Sequence, residues 1–223
     1  MTVSGESQRQ LSSITQLPAV MPGESLENAI NADHPMRVIT EDLVRDEDSW
    51  SASTAKSTAH VFDSLAETWD ERFADRTARL APLVDALERG GPINFGAVAD
   101  IGAGTLVTTD FLQTRFDTAV GLDLSFEMLR QRTSPVAGVH SDASRLPFGD
   151  DAFDAVVLMN AFLFPSEVDR VLRTDGVVVW VSSIGPSTPI YLSPGEVASA
   201  LPGEWGGVWS TAGIGTWSVL RRT

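Results

Sequence analysis

The sequence predicts an α/β fold, built on a doubly wound, mostly parallel sheet with an antiparallel hairpin at its C-terminal end. Between residues 97 and 181, short apolar runs alternate with segments of helical periodicity. A Gly-x-Gly turn directly follows the first apolar run. Two strand-like runs, joined by Thr211-Ala212-Gly213, end the chain. Alternation of this kind is typical of a parallel sheet with helices on both faces, and the final pair of runs predicts the hairpin.

Two amphipathic helices precede the sheet. In the first, over residues 57–73, apolar side chains recur at intervals of three and four residues, the period of one helical face: Phe62, Leu65, Trp69 and Phe73. The second covers residues 77–89 and ends at Gly90-Gly91-Pro92.

The alternating part of the chain then gives five strands and three helices. The predicted strands are residues 98–101, 118–122, 139–141, 153–159 and 177–181, and the predicted helices are residues 108–114, 125–132 and 166–172. The final hairpin comprises residues 204–210 and 215–221, which we expect to close one edge of the sheet.

The composition is that of an ordinary globular protein of 223 residues, with 43% hydrophobic and 21% charged residues. The chain has no cysteine and three scattered histidines, so we expect neither a disulfide nor a structural metal. A net charge of -14 repels phosphate backbones, so we expect no nucleic-acid partner. Because no signal peptide or apolar run of about 20 residues is present, we expect a cytoplasmic protein without membrane insertion.

The first 47 residues are rich in Ser, Glu, Asp and Pro and have little sustained periodicity. This composition predicts a mobile or loosely packed extension, with a substrate lid or a dimer arm as alternatives. Val38-Ile39 and Leu43-Val44 supply apolar side chains with which it could dock. We therefore expect an extension over residues 1–47 and one domain over residues 48–223, as a monomer or a homodimer.

The turn after the first strand is the most informative motif. Gly102 and Gly104 let a ligand approach the backbone closely, because glycine has no Cβ and tolerates positive φ. The N–H groups of the helix that follows favour anionic ligand groups. Asp100 stands where a dinucleotide-binding strand normally carries an apolar residue. A carboxylate there suits a ligand with a cationic group, such as S-adenosylmethionine.

Polar side chains also follow the next three strands. Asp123 ends the second strand, 23 residues after Asp100, where a carboxylate can accept from both hydroxyls of a ribose. Asp142 follows the third strand and Asn160 follows the fourth. In open α/β sheets the ligand lies at the carboxyl ends of the strands, so these groups are expected to meet. A bland alternative is that Asp123 only caps the next helix and Asp142 only stabilises a turn.

Five segments, in order, resemble the class I S-adenosylmethionine-dependent methyltransferases: residues 62–70, 98–105, 120–129, 141–156 and 170–176. Within that family the chain is most similar to the small-molecule subgroup that includes the C-methyltransferases of ubiquinone and menaquinone biosynthesis. The resemblance spans roughly residues 60–221. It implies a Rossmann-like fold, S-adenosylmethionine as cofactor, S-adenosylhomocysteine as product and SN2 methyl transfer to a small molecule.

The resemblance also implies roles for single residues around the methionine part of the cofactor. The backbone of Gly102-Ala103-Gly104 passes beneath it, and Asp100 supports its amino group directly or through water. Asn160 lies beside the methyl group. Trp69 stands where many relatives have a tyrosine, and it is expected to cover the cofactor.

Around the adenosine part, the resemblance implies that Asp123 binds the ribose hydroxyls. Leu124 and Met128 pack on the adenine. Asp142 accepts a hydrogen bond from the adenine amine, and the N–H of Ala143 donates to the ring.

Two departures from the family pattern bear on the site. Leu106 replaces the third glycine of the first motif, so it could crowd the cofactor or change the start of the helix. The segment from Asn160 to Ser166 is short, which predicts an abbreviated fourth helix and an open substrate side that the N-terminal extension could fill. No catalytic base is evident, and His60 and Tyr191 are only weak candidates.

Other functions are open at this point. The same fold could serve as a non-catalytic S-adenosylmethionine-binding or regulatory domain, or could use the cofactor for chemistry other than methyl transfer. A nicotinamide-dependent oxidoreductase needs a glycine where Val107 stands. The segment Asn160-Ala161-Phe162-Leu163 lacks the Asn-Pro-Pro-aromatic signature of nucleobase and amide N-methyltransferases, which favours a small-molecule acceptor.

Overall fold

The computed structural model of the chain describes residues 14–22, 33–72, 75–133 and 135–223. Phe73 and parts of the predicted extension, residues 1–13 and 23–32, lie outside the described residues. In the part that is described, one sheet of nine strands organises the molecule. The strands are β1 Ile14–Gln16, β2 Val20–Pro22, β3 Ala97–Ile101, β4 Thr118–Asp123, β5 Ala137–His140, β6 Phe153–Met159, β7 Leu172–Ser182, β8 Trp205–Gly213 and β9 Gly215–Arg222.

The strand order is β1-β8-β9-β7-β6-β3-β4-β5, and β2 also pairs with β8. The five central strands, β3 to β7, are parallel to one another. β9 is antiparallel to both β7 and β8. The order reverses between β3 and β6, which is the switch point at which such sheets bind ligands. The predicted doubly wound, mostly parallel sheet with a C-terminal antiparallel hairpin is confirmed.

The N-terminal segment extends the sheet, so the final hairpin does not close its edge as predicted. β1 and β2 both run parallel to β8, with Ile14 opposite Gly207 and Val20 opposite Ala212. The hydroxyl of Ser210 donates to the carbonyl of Leu17 at 3.1 Å and ties the connection between them to the sheet. Strands of three residues are too short to show an alternating pattern, so neither strand could be predicted from the sequence.

Eight helices cover the sheet in the described ranges. They are α1 Pro35–Arg45, α2 Ala52–Leu65, α3 Trp69–Arg72, α4 Arg76–Arg89, α5 Val107–Gln113, α6 Phe126–Arg130, α7 Pro165–Val171 and α8 Pro194–Ala200. None of these helices is long and apolar enough to cross a membrane. α7 has seven residues, in agreement with the predicted abbreviation of this helix.

Three helices also differ from the predictions. α2 begins earlier, at Ala52, because the side chain of Ser51 accepts the N–H of Thr54 and caps the helix. It ends at Leu65, where a 3₁₀ turn leads into α3. α8 was not predicted, although its capping box of Ser193 and Glu196 is a signal that the sequence contains. α1 lies within the predicted extension.

The core has two main parts, one on each face of the sheet, and a smaller cluster around Leu106. Leu158 and Trp180 are buried on one face, together with Trp205. Val157 and Trp217 are buried on the other face, against α4. Because β6 is buried along its whole length, the sheet centre is rigidly packed and fixes where each strand ends.

Candidate active site at the carboxyl ends of the strands

The carboxyl ends of β3 to β7 open into a cavity of about 570 Å³, which α1 and α2 cover. A volume of this order is typical of small-molecule and cofactor sites. The cavity brings together most of the predicted site residues: Trp69, Gly102, Gly104, Asp123, Leu124, Met128, Asp142, Ala143 and Asn160. The predicted residues Asp100 and Ala103 do not line it, and both are buried beneath its wall.

The turn after β3 needs its glycines. Gly102 has φ +71° and Gly104 has φ +57°, both in the left-handed region. A Cβ on Gly102 would lie 2.5 Å from the Cβ of Ala161, closer than real side chains approach. The N–H of Gly102 donates to the carbonyl of Leu122 at 2.8 Å, so the turn is fixed to the end of β4. The result is an exposed backbone cradle at the cavity wall.

Asp123 links this cradle to the next helix. Its Oδ2 accepts the N–H of Gly104 and its Oδ1 accepts the N–H of Ser125, each at 2.7 Å. Burial raises the pKa of Asp123, and these two N–H groups oppose the rise. A carboxylate has about four acceptor positions, so Asp123 can bind two ligand hydroxyls while it holds the turn. Capping and ligand binding are therefore compatible at this residue.

Leu106 does not line the cavity, contrary to the expectation that it could crowd a cofactor. It takes the left-handed conformation that glycine adopts more readily, with φ 66°, and it is fully buried. Its two methyl groups fill the space beside Gly121 and Gly138, at 2.4 and 2.8 Å from the positions of a Cβ on those glycines. The leucine is thus accommodated by two glycines on the neighbouring strands β4 and β5.

Asp100 is buried beneath the cavity wall and does not line the cavity. It is 1% exposed, and the hydroxyl of Thr109 donates to its Oδ2 at 2.6 Å. Burial raises the pKa of Asp100 to about 7, and the negative charge of Asp123 adds to the rise, while Thr109 and Arg79 oppose it. Its support of a ligand amino group, directly or through water, stays a prediction.

Trp50 is a site residue that the sequence did not reveal. Its indole N–H donates to Oδ1 and Oδ2 of Asp142 at 3.1 and 3.0 Å. Its ring packs against Phe162 and Phe164, with centroids 5.7 and 5.3 Å apart. The N–H of Ser144 also donates to Asp142, at 2.8 Å. An isolated aromatic residue after an acidic run was the one available signal.

Asn160, at the end of β6, is held rigidly. It has φ 55°, and its side-chain amide donates to the hydroxyl of Ser183 at 2.8 Å. The N–H of Ser183 donates back to the Asn160 side-chain carbonyl at 2.9 Å. The amide therefore ties β6 to the end of β7 at the cavity wall.

Arg79, on α4, was also missed. It lines the cavity beside Trp69. The ring of Trp69 packs edge to face against that of Phe62, with the ring centroids 5.9 Å apart. Burial lowers the pKa of Arg79, and the carboxylates of Asp70 and Asp100 oppose the effect. A buried guanidinium at this wall suits a ligand carboxylate.

Neither predicted base candidate lies in the cavity. His60 is exposed on α2, and the ring of Tyr191 lies under the guanidinium of Arg37 at 5.2 Å. Burial raises the pKa of Tyr191, which keeps its phenol protonated. The histidine that does line the cavity is His34, at the start of α1.

The comparisons with known proteins agree with this geometry. Residues 99–180 match the family model of a methyltransferase domain. A structure of a SAM-dependent methyltransferase from Aquifex aeolicus superposes with a TM-score of 0.55, covering 67% of this chain and 95% of that one at 17% identity, which shows a common fold. The fold is therefore that of S-adenosylmethionine-dependent methyltransferases, and the matched segment contains the glycine turn and the strand-end acids Asp123 and Asp142.

Curated relatives place the chain more closely. It is 32% identical over 114 residues to the demethylmenaquinone methyltransferase of Mycobacterium bovis, an alignment that covers 46% of this chain and 45% of that enzyme. It is 30% identical over 202 residues to the biotin biosynthesis bifunctional protein BioHC of Cellvibrio japonicus, covering 85% of this chain and 39% of that protein. The chain is thus similar to quinone C-methyltransferases, although it spans about half the length of the first of these relatives.

Proposed function

We propose that this protein transfers a methyl group from S-adenosylmethionine to a small-molecule acceptor. The observation that carries the proposal is the position of Asp123, whose carboxylate is fixed by the N–H groups of Gly104 and Ser125 and lines the cavity. The open backbone of the glycine turn flanks it on one side, and Asp142 lines the same cavity. This set of donors and acceptors fits an adenosyl ligand with a charged amino-acid end.

The proposed cofactor contacts follow the walls of the cavity. The turn of Gly102 and Gly104 would hold the methionine part, and the guanidinium of Arg79 would bind its carboxylate. Asp123 would accept from the ribose hydroxyls, and Asp142 from the adenine amine.

Three further residues would complete the adenine site. Leu124 and Met128 would pack on the ring faces, and the N–H of Ala143 would donate to the ring edge. All three line the cavity. The apolar side chains would replace water around the ring and so favour its burial.

S-adenosylmethionine supplies, when bound, a methyl group that its sulfonium makes electrophilic. The protein's own residues have to align the acceptor and exclude water, because proximity alone can supply about 7–11 kcal/mol of rate acceleration. The aromatic rings of Trp50, Phe62, Phe162 and Phe164 line the cavity and serve this purpose. The acceptor would supply the electron pair of the new bond to the methyl carbon, the pair of the broken bond would stay on sulfur, and the methylated acceptor would release one proton.

The acceptor side of the cavity favours an apolar compound. Apart from the groups assigned to the cofactor, the cavity is lined mainly by apolar side chains, among them Met36, Phe162, Ile184 and Ile190. The similarity to demethylmenaquinone methyltransferases supports an oxygenated ring compound as acceptor.

Incubation of the purified protein with S-adenosylmethionine and 1,4-dihydroxynaphthalene tests the proposal. Mass spectrometry should detect S-adenosylhomocysteine and a product heavier by one methyl group in place of hydrogen. The Asp123→Ala variant should lose this turnover. Binding of S-adenosylhomocysteine without turnover of any hydroxylated ring compound would favour the non-catalytic alternative.

A further inference from the structure

Two polar atoms that border the cavity, the Oγ1 of Thr188 and the Nε2 of His34, have no hydrogen-bond partner among the described residues. One is the hydroxyl of Thr188, in the segment after β7. Thr188 is 2% exposed and lines the cavity, yet its Oγ1 has no partner in the described part of the chain. Buried hydroxyls in native proteins almost always have one. An unpartnered hydroxyl in a ligand cavity indicates that a polar atom of the ligand forms a hydrogen bond with it.

The second group is His34, whose ring is held in a defined orientation. Its Nδ1 accepts the N–H of Met36 at 3.2 Å, so His34 caps α1. Because Nδ1 uses its lone pair in this bond, the neutral ring carries its proton on Nε2. Nε2 donates to no acceptor among the described residues, and His34 lines the cavity. The ring is therefore fixed as a hydrogen-bond donor and is not available as a base at Nε2.

Hydrogen bonds from Arg37 hold the segments that carry His34 and Thr188 against each other. The guanidinium of Arg37, in the first turn of α1, donates to the carbonyls of Pro186, Thr188 and Pro189 at 2.9, 2.5 and 3.2 Å. These bonds hold the start of α1, with His34, against the segment that carries Thr188. The two polar groups thus come from segments that are joined directly by the bond between Arg37 and Thr188, 151 residues apart in the sequence.

We propose that His34 and Thr188 together bind one oxygen atom of the methyl acceptor, a hydroxyl or carbonyl on an otherwise apolar ring. The Nε2–H of His34 donates to this oxygen, and the hydroxyl of Thr188 donates or accepts. Both residues position the acceptor and select it against rings that lack oxygen. The inference rests on the proposed function and adds to it the residues that recognise the acceptor.

Equilibrium dialysis with two matched probes tests this inference. The protein, saturated with S-adenosylhomocysteine, is dialysed against 1-naphthol and against naphthalene, which differ only in one hydroxyl. Wild-type protein should bind 1-naphthol about tenfold more tightly, since one hydrogen bond contributes about that factor. His34→Asn keeps an oxygen that can cap α1 but removes the Nε2–H, and Thr188→Val keeps the volume but removes the hydroxyl.

Each variant should reduce the preference for 1-naphthol severalfold and leave naphthalene binding unchanged. His60→Asn is the matched control, because His60 is exposed outside the cavity, and Thr188→Ser should retain the preference. Failure of wild-type protein to bind S-adenosylhomocysteine would refute the proposed function itself. If that compound binds, an absent preference in wild type, or an undiminished one in both variants, overturns the inference.

Discussion

The indole N–H of Trp50 donates to both carboxylate oxygens of Asp142, at 3.1 and 3.0 Å, across 92 residues of sequence. Asp142 is the residue proposed to accept the adenine amine. The segment that leads into α2 thus already occupies the carboxylate that the cofactor would use. Glu47 fastens the same segment at its other end, where it accepts the N–H and the hydroxyl of Ser166 at 2.9 and 2.8 Å.

Replacement of Trp50 by phenylalanine should strengthen cofactor binding. Phenylalanine keeps a ring against Phe162 and Phe164 but cannot donate to Asp142. Only the N–H of Ser144 then still donates to this carboxylate, which leaves more of its acceptor positions for adenine. A hydrogen bond to a charged group contributes about 1.5–3 kcal/mol, and we expect roughly tenfold tighter binding of S-adenosylhomocysteine by calorimetry. Trp209→Phe, on β8 away from the cavity, should leave the affinity unchanged. Weaker binding by Trp50→Phe would show that the indole N–H assists the ligand.

Substitution of Asp123 by asparagine should weaken binding of S-adenosylhomocysteine by about 1–3 kcal/mol. The amide NH₂ would face one of the two backbone donors, Gly104 or Ser125, and one acceptor position for the ribose would be lost. Calorimetric titration measures the change. The exposed Asp175→Asn variant has the same change in charge and should bind like wild type. An equal affinity in both variants would mean that Asp123 serves only to cap the turn.

Leu106→Gly should destabilise the fold, even though it relieves a left-handed leucine. The relief is worth about 1–3 kcal/mol, whereas emptying a fully buried leucine site costs about 2–5 kcal/mol. Leu106→Ala keeps the backbone strain and also loses the packing on Gly121 and Gly138, so it should be the less stable of the two. Urea unfolding gives both free energies. Unchanged or increased stability of Leu106→Gly would contradict the packing role.

The buried carboxyl of Asp100 should make stability depend on pH. Its pKa is raised to about 7 in the folded protein, above its ordinary value of 3.8, so the folded state binds the proton more tightly. This contribution to stability is complete below about pH 4 and is lost as the pH rises through 7, with a slope of up to about 1.4 kcal/mol per pH unit.

The Asp100→Asn variant isolates this effect, because asparagine can still accept from Thr109 but does not titrate. Its free energy of unfolding should fall less than that of wild type between pH 5 and 8, as urea titrations would measure. Asp123, whose pKa is also raised, contributes in the same direction to both proteins. Parallel pH profiles for wild type and variant would refute the assignment.

The sequence predicted those parts of the site that depend on local rules. Gly102, Asp123 and Asp142 follow predicted strands, and parallel strands end at a common edge, so their convergence could be foreseen. Trp50 and His34 could not, because they lie in segments without periodicity and reach the cavity through contacts distant in sequence.

Leu106 illustrates the same limit within the best-predicted motif. A leucine at a glycine position indicates strain or crowding when the motif is considered alone. The glycines that accommodate it, Gly121 and Gly138, belong to other strands whose register only the folded sheet defines. The position of Arg79 could not be predicted either, because the helical pattern of α4 does not indicate which of its polar side chains lines the cavity.

The central claim, that the turn after β3 and the acids after β4 and β5 form an adenosyl-binding site, is tested most directly by calorimetric titration of the full chain. S-adenosylhomocysteine should bind with a micromolar Kd and one site per chain, and NAD⁺ should not bind. Absence of S-adenosylhomocysteine binding, or binding of NAD⁺ in its place, would contradict the claim.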